Sequence, residues 1–139
     1  MTEAERDCKD APVEFTSNPA VRMVSMILLD SIRQCGTEIQ IVPVEKRIEV
    51  SYRIDGNLVL VMCPPLSLKE TMISRIKIMA LLDVSEKEKP QNGLIDIKVA
   101  SKFVPSGRYL FDVSITQTEF GEKAVLILRR EANSTPIAP

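Results

Sequence analysis

The sequence predicts an α+β domain: one mostly antiparallel sheet of about six strands with two main helices packed on one face. Three observations lead there. The hydrophobic period along the chain runs helix, three strands, helix, three strands. The best-defined strand alternates Ile48, Val50, Tyr52 and Ile54 with Glu49, Ser51 and Arg53, as an antiparallel strand covered on one side should. The chain's 139 residues suffice for one core, whereas two domains would each sit near the lower limit for a self-sufficient one.

Residues 1–16 show no periodicity and read as a flexible tail, residues 17–130 as the domain, and residues 131–139, polar and Pro-bearing, as a second flexible tail. The first helix begins at Asn18-Pro19, because Asn18 can cap and Pro19 lacks only an N–H that the first turn would leave unpaired. Val21, Val24, Leu28, Ile32 and Cys35 share one face, widened by Met23, Met26, Ile27 and Leu29, and Gly36 is expected to end the helix as its left-handed residue. Ile39 and Ile41 mark a first strand that Pro43 closes. The strand over 48–54 turns at Asp55-Gly56 and returns over 58–62, and Pro64-Pro65 ends it.

A second helix is expected from Ser67, where Ser67 and Glu70 have the spacing of a capping box. Its apolar face is Leu68, Met72, Ile76 and Met79, beside Ile73 and Ala80, with Arg75 and Lys77 off the stripe. These two read either as a solvated face or as a contact for an acidic partner. The methionines Met23, Met26, Met62, Met72 and Met79 read as core filling. Residues 83–93 form a charged loop closed by an expected turn at Asn92-Gly93. Strands follow at 94–99, at Tyr109, Phe111, Val113 and Ile115, and at 124–128, a continuous apolar run of the kind a central strand carries. Turns lie at Ser106-Gly107 and at 119–122.

Composition excludes several functions. The formal charge is −1, from 18 Lys+Arg against 19 Asp+Glu, so no global positive field would draw nucleic acid. No apolar run approaches the ~18 residues of a membrane span. The polar, acidic N-terminus is not a signal peptide, which points to the cytoplasm. There is no His, and therefore no Ser-His or Cys-His nucleophile. The 3 Cys are too scattered for a metal or redox pair, and Cys35 and Cys63 read as core thiols. Every glycine is isolated, so there is no phosphate-binding loop and no P-loop ATP hydrolysis. The expectation is no catalytic residue, no metal and no cofactor.

One set of motifs carries a resemblance. Residues 37–43, TEIQIVP, and 50–56, VSYRIDG, resemble the "SDIHIEP … VRYRIDG" run of the type II secretion and type IV pilus assembly ATPases. Residues 74–86, SRIKIMALLDVSE, are similar to that family's "SRIKIMANLDIAE", residues 90–93 to its "PQDG", and residues 121–126 to its "GEKVVLR". The matches keep the family's order from about residue 20 to 130, and the run of thirteen is highly specific. The resemblance is to the PAS-like module that precedes the ATPase core, here without that core; the polar tail after Arg129-Arg130 reads as a real terminus. In the family this module packs on a neighbouring subunit's ATPase domain, and arginines in "RRLPQDGR" and "DVRVS" reach the nucleotide phosphates. Leu94 and Ser114 stand at those arginine positions, and neither can offer phosphate a charged fork.

The resemblance therefore implies a non-catalytic protein-interaction module docking on a secretion or pilus motor ATPase. Its expected interface joins Arg53 and Asp55, with the turn they flank, to Lys87, Glu88, Lys89, Gln91 and Asn92 of a loop taken as neighbouring. For Arg53 and Asp55 the structural reading is a pair that orders the turn; for the loop charges it is a solvated connector. The alternatives at the level of function are a small-ligand sensor of PAS type and a fragment of a full-length secretion ATPase.

Overall fold

The computed structural model describes residues 18–129, so the tails expected at 1–16 and 131–139 lie outside the described residues. Helix α1 spans Pro19–Arg33 and starts as the sequence predicts: the Asn18 side chain accepts from the amides of Ala20 (2.9 Å) and Val21 (3.4 Å). Its end differs. Cys35, not Gly36, takes the left-handed conformation, at φ 62°. The Gly36 amide then bonds to the Ser31 carbonyl (2.8 Å) and the Cys35 amide to that of Ile32 (3.0 Å), which completes a Schellman motif one residue early. Gly36 serves close approach instead, since a Cβ there would lie 3.3 Å from the Ser31 carbonyl and 3.4 Å from the Tyr52 Cβ.

Six strands follow: β1 (Glu38–Pro43), β2 (Ile48–Ile54), β3 (Asn57–Met62), β4 (Gln91–Val99), β5 (Gly107–Thr118) and β6 (Gly121–Arg129). They form one sheet in the order β3-β2-β1-β6-β5-β4, and every neighbouring pair is antiparallel. At the β2–β3 turn both Asp55 (φ 53°) and Gly56 (φ 83°) are left-handed, which matches the twist of a two-residue hairpin. Cys63, just past β3, and Cys35 are both exposed, which corrects their reading as core thiols. Each sits at an element's end, where the chain turns outward.

Helix α2 (Lys69–Met79) is entered through a 3-10 turn, Leu66–Leu68. The expected capping box at Ser67 does not form: the cap residue is Leu68, with no side-chain bond. The preceding turn already orders the chain, with the Leu68 amide bonded to the Pro65 carbonyl (3.0 Å). Met72, Ile73, Ile76 and Ala80 are buried as predicted, and join α1's Val24, Ile27 and Leu28 over Ile39, Ile41, Val50, Tyr52, Phe111, Val113, Ile115 and Leu126 in one core. Both helices thus cover the same face of the sheet. Met26 and Met72 are buried, while Met23, Met62 and Met79 pack at the core's margin. Tyr52 ties sheet to helix: its hydroxyl donates to the Asp30 carboxylate (2.9 Å), and burial, then the Asp30 charge, push its pKa well up, so it stays neutral.

Lys77 contradicts its place off the apolar stripe, being only 1% exposed. Its ammonium lies 2.9 Å from the Glu122 carboxylate and donates to the Glu86 carbonyl at 2.6 Å. The loop after α2 folds back over the helix, so a face that would meet water in an isolated helix is covered. Asn92-Gly93 is not a turn either; both residues lie inside β4. A Cβ on Gly93 would fall 2.7 Å from the Ala80 carbonyl and 2.9 Å from Leu82 Cδ2, so glycine is there to let the end of α2 press on the strand. β6 is central, as its apolar run suggests, yet Ala124 and Leu126 are buried while Ile127 is 49% exposed.

Two outcomes are expected. Ile76→Ala should cost roughly 2–5 kcal/mol in urea denaturation, as for other truncations of a buried branched side chain; an unchanged midpoint would mean that α2 packs on another face. Glu122→Gln should cost roughly 3–5 kcal/mol, because it leaves the Lys77 charge buried without its counter-ion. The double variant Lys77→Met/Glu122→Leu should lose less than that, and a larger loss in the double would show that the pair itself, not its completeness, supplies the stability.

Candidate protein-interaction site on the uncovered face of the sheet

Strand alternation assigns the other half of each strand to the face opposite the helices. The registers set Leu58, Arg53, Glu38, Ile127, Asp112 and Leu94 side by side in one row across the six strands. Three arginines along this face are paired with carboxylates. Arg53 Nε lies 3.0 Å from Glu38 Oε1, Arg129 2.6 Å from Asp112 and Arg108 2.6 Å from Asp96. Such exposed pairs add little stability, but they fix the guanidinium groups in place. The Glu38 carboxyl is held below its usual range by a hydrogen bond from Gln40 and then by Arg53. Arg108 does the same for Asp96. Between the pairs, Leu58, Leu60 and Ile127 stand exposed. The face sets exposed apolar side chains among cross-strand ion pairs.

The residues expected to form the interface fall into two groups. Arg53 lies on this face, where its ion-pair partner is Glu38 and not Asp55, so the expected pair does not form; Arg53 alone braces the turn by donating to the Gly56 carbonyl (3.2 Å), and Asp55 is exposed in the turn itself. Asn92 lies on the same face at the far edge, where it accepts from the Ser114 hydroxyl (3.0 Å). Gln91 closes the loop by accepting from the Asp83 amide and donating to its carbonyl, both at 2.9 Å. Lys87, Glu88 and Lys89 are exposed in the loop before β4. Turn and loop are not neighbours: β2 and β4 are four strands apart, roughly 19 Å, and the registers put the turn and the loop at opposite ends of the sheet. What joins Arg53 to Asn92 is the face between them.

The loop is more than a solvated connector. The Glu86 carboxylate accepts from the amides of Glu88 (2.9 Å) and Lys89 (3.0 Å), which lowers its pKa. The Asp83 carboxylate accepts from the Ser85 hydroxyl (2.7 Å) and amide (3.0 Å). With Lys77 gripping the Glu86 carbonyl, the loop is built from its own acidic side chains. Lys87 lines a surface cavity of about 140 Å³ with Lys69, Glu70, Ile73, Gln117, Gly121 and Glu122. This cavity lies between the start of α2 (Lys69, Glu70, Ile73) and the tip of the β5–β6 hairpin (Gln117, Gly121, Glu122). Among the described residues no group of His, Cys, Asp and Glu is arranged to hold a metal, and no helix is long and apolar enough to cross a membrane.

Leu94 and Ser114 share this face on adjacent strands, with Asn92 opposite Ser114 and Leu94 opposite Asp112. Sequence reasoning missed the Arg129–Asp112 and Arg108–Asp96 pairs. The signal was present in the parity of Asp112 and Arg129, each opposite in phase to its strand's buried residues, but only the register shows that they meet.

Comparison with known proteins places the module. The family model described as type II/IV secretion system protein matches residues 14–136. The chain is 42% identical over 116 residues to the type IV pilus assembly ATPase PilB of Myxococcus xanthus, covering 83% of this chain and 20% of that protein. It is 36% identical over 117 residues to a putative type II secretion system protein E of Escherichia coli, covering 83% of this chain and 22% of that one. The chain thus spans about a fifth of the length of these relatives. Among solved structures, the fold is similar to part of the Legionella pneumophila ATPase DotB, with TM-score 0.56 and 17% identity over 84% of this chain and 31% of that one. With the α+β architecture and the motif run both in register, the chain belongs to the type II/IV secretion system protein family, and what it carries is that family's N-terminal accessory domain.

Proposed function

We propose that this chain is a non-catalytic docking module that works in the cytoplasm and binds a secretion or pilus motor ATPase through the uncovered face of its sheet. Arg53 and Asp55 form one rim of that contact and Gln91 and Asn92 the other, with Lys87, Glu88 and Lys89 reaching the partner beyond the β4 edge. The observation that carries this reading is the state of the arginines on the face. Leu94 and Ser114 occupy the positions at which the resemblance implies phosphate-reaching arginines, Ser114 is bonded to Asn92, and Arg53, Arg108 and Arg129 each face a carboxylate. A guanidinium held by a carboxylate is a poor phosphate ligand, because phosphate must displace a partner already in contact. It remains a good rim group for a protein surface, where paired charges set orientation and exposed apolar side chains supply the contact.

Purified motor ATPase from the same genome should capture the chain, and Ile127→Lys, whose charge would lie between Glu38 and Asp112, should weaken that capture at least tenfold while stability in urea stays within about 1 kcal/mol of the parent, as for other exposed strand positions. Lys87→Glu/Lys89→Glu should slow association and lessen its salt dependence. Capture unaffected by Ile127→Lys would remove the sheet face from the reading. Calorimetric titration of the isolated chain with Mg-ATP should give no saturable binding; micromolar affinity would mean that nucleotide is held without the missing arginines.

A further inference from the structure

The two edges of the sheet are built differently. β4 (Gln91–Val99) carries Asp96 and Lys98 and is pressed by the Ala80 carbonyl and Leu82 side chain at Gly93. Charge and cover of this kind keep an edge from pairing with another chain. β3, at the other edge, has neither. Its sequence NLVLVM contains no charge and no proline, and Leu58, Val59 and Leu60 are 45%, 42% and 48% exposed in succession, so both of its faces show apolar side chains to water. Because β3 is the terminal strand, alternate residues point N–H and C=O groups outward with no strand beyond them among the described residues. The register shift against β2 falls near Val61, which leaves Asn57–Leu60 as a regular edge.

We propose that β3 is a self-association edge, at which two copies of this chain pair antiparallel, β3 against β3, about a two-fold axis that continues the sheet from one copy into the next. A two-fold contact sets a patch against itself, so the patch must be free of charge that would meet its own kind. β3 meets that condition, whereas in β4 Asp96 is already committed to Arg108. Antiparallel pairing centred on Val59 sets Leu58 opposite the partner's Leu60 on the uncovered face, an apolar cross-strand pair of the stabilising kind. The regular edge is this short on each side, so the dimer is weak and depends on concentration. It needs no motor ATPase, and its failure would leave the docking proposal standing.

Sedimentation equilibrium of the isolated chain, carried from micromolar to near-millimolar concentration, should show a monomer–dimer equilibrium. Leu58→Lys/Leu60→Lys should weaken it at least tenfold without changing the circular dichroism spectrum; Leu60→Lys alone serves if the double variant does not fold. Amide exchange at residues 57–60 should slow as concentration rises. A chain that stays monomeric throughout, a dimer indifferent to these lysines, open-ended association, or a dimer whose 57–60 amides exchange as in the monomer would each overturn the proposal, the last because it would mean face stacking and not edge pairing.

Discussion

Everything in this structure depends on a single layer of helix covering one face of a six-stranded sheet. Two helices supply apolar surface enough to bury Ile39, Ile41, Val50, Tyr52, Phe111, Val113, Ile115 and Leu126, and the strict two-residue period of each strand sends the alternate residues to the other side. Among the described residues nothing covers that other side, yet it is not simply polar. It holds Leu58, Leu60 and Ile127 among cross-strand ion pairs. A face with this composition satisfies water as an isolated domain and still has apolar area to contribute when covered.

The buried Lys77–Glu122 pair shows how the helix layer is completed. α2 is short, and its outer side would be left to solvent if the following loop ran straight to β4. Instead the Lys77 ammonium collects the Glu86 carbonyl and the Glu122 carboxylate, so one charge draws the loop and the β5–β6 hairpin onto the helix. A buried ammonium is costly unless its donors are engaged. Here two groups from different parts of the chain engage it, which is why the loop that carries Lys87 and Lys89 has a defined course.

Much of the fold was legible in the sequence because its signals are local. The Asn18-Pro19 start, the one-sided alternation over 48–54, the Asp55-Gly56 turn and the apolar stripe of α2 each rest on residues a few positions apart. The errors came where distant chain decides the outcome. Gly36 and Gly93 read as punctuation, but their role is to admit a neighbouring backbone, which no local pattern records. Ser67 was passed over as a cap because a 3-10 turn already ordered the entry to α2. Lys77 read as surface because the residues that bury it come 9 and 45 positions later. The site divides the same way. Arg53 and Asn92 were nominated from motifs, but their separation, and the face that joins them, follow from a strand order that puts β6 between β1 and β5.

That strand order also decides what kind of recognition the face can perform. β6 enters the middle of the sheet between two hairpin units, β1–β3 and β4–β5, so Ile127 stands at the centre with Glu38–Arg53 on one side and Asp112–Arg129 beside it. The central strand contributes an apolar contact, and charge lies to either side of it, already neutralised in pairs. A nucleotide would need the reverse, with uncommitted cations gathered at one point and fixed donors around them. Leu94 and Ser114 lie one strand pair away from that centre and supply no cation. On the docking function proposed above, this surface would select for shape and for the placement of paired charge, properties that another protein surface can match and a phosphate cannot.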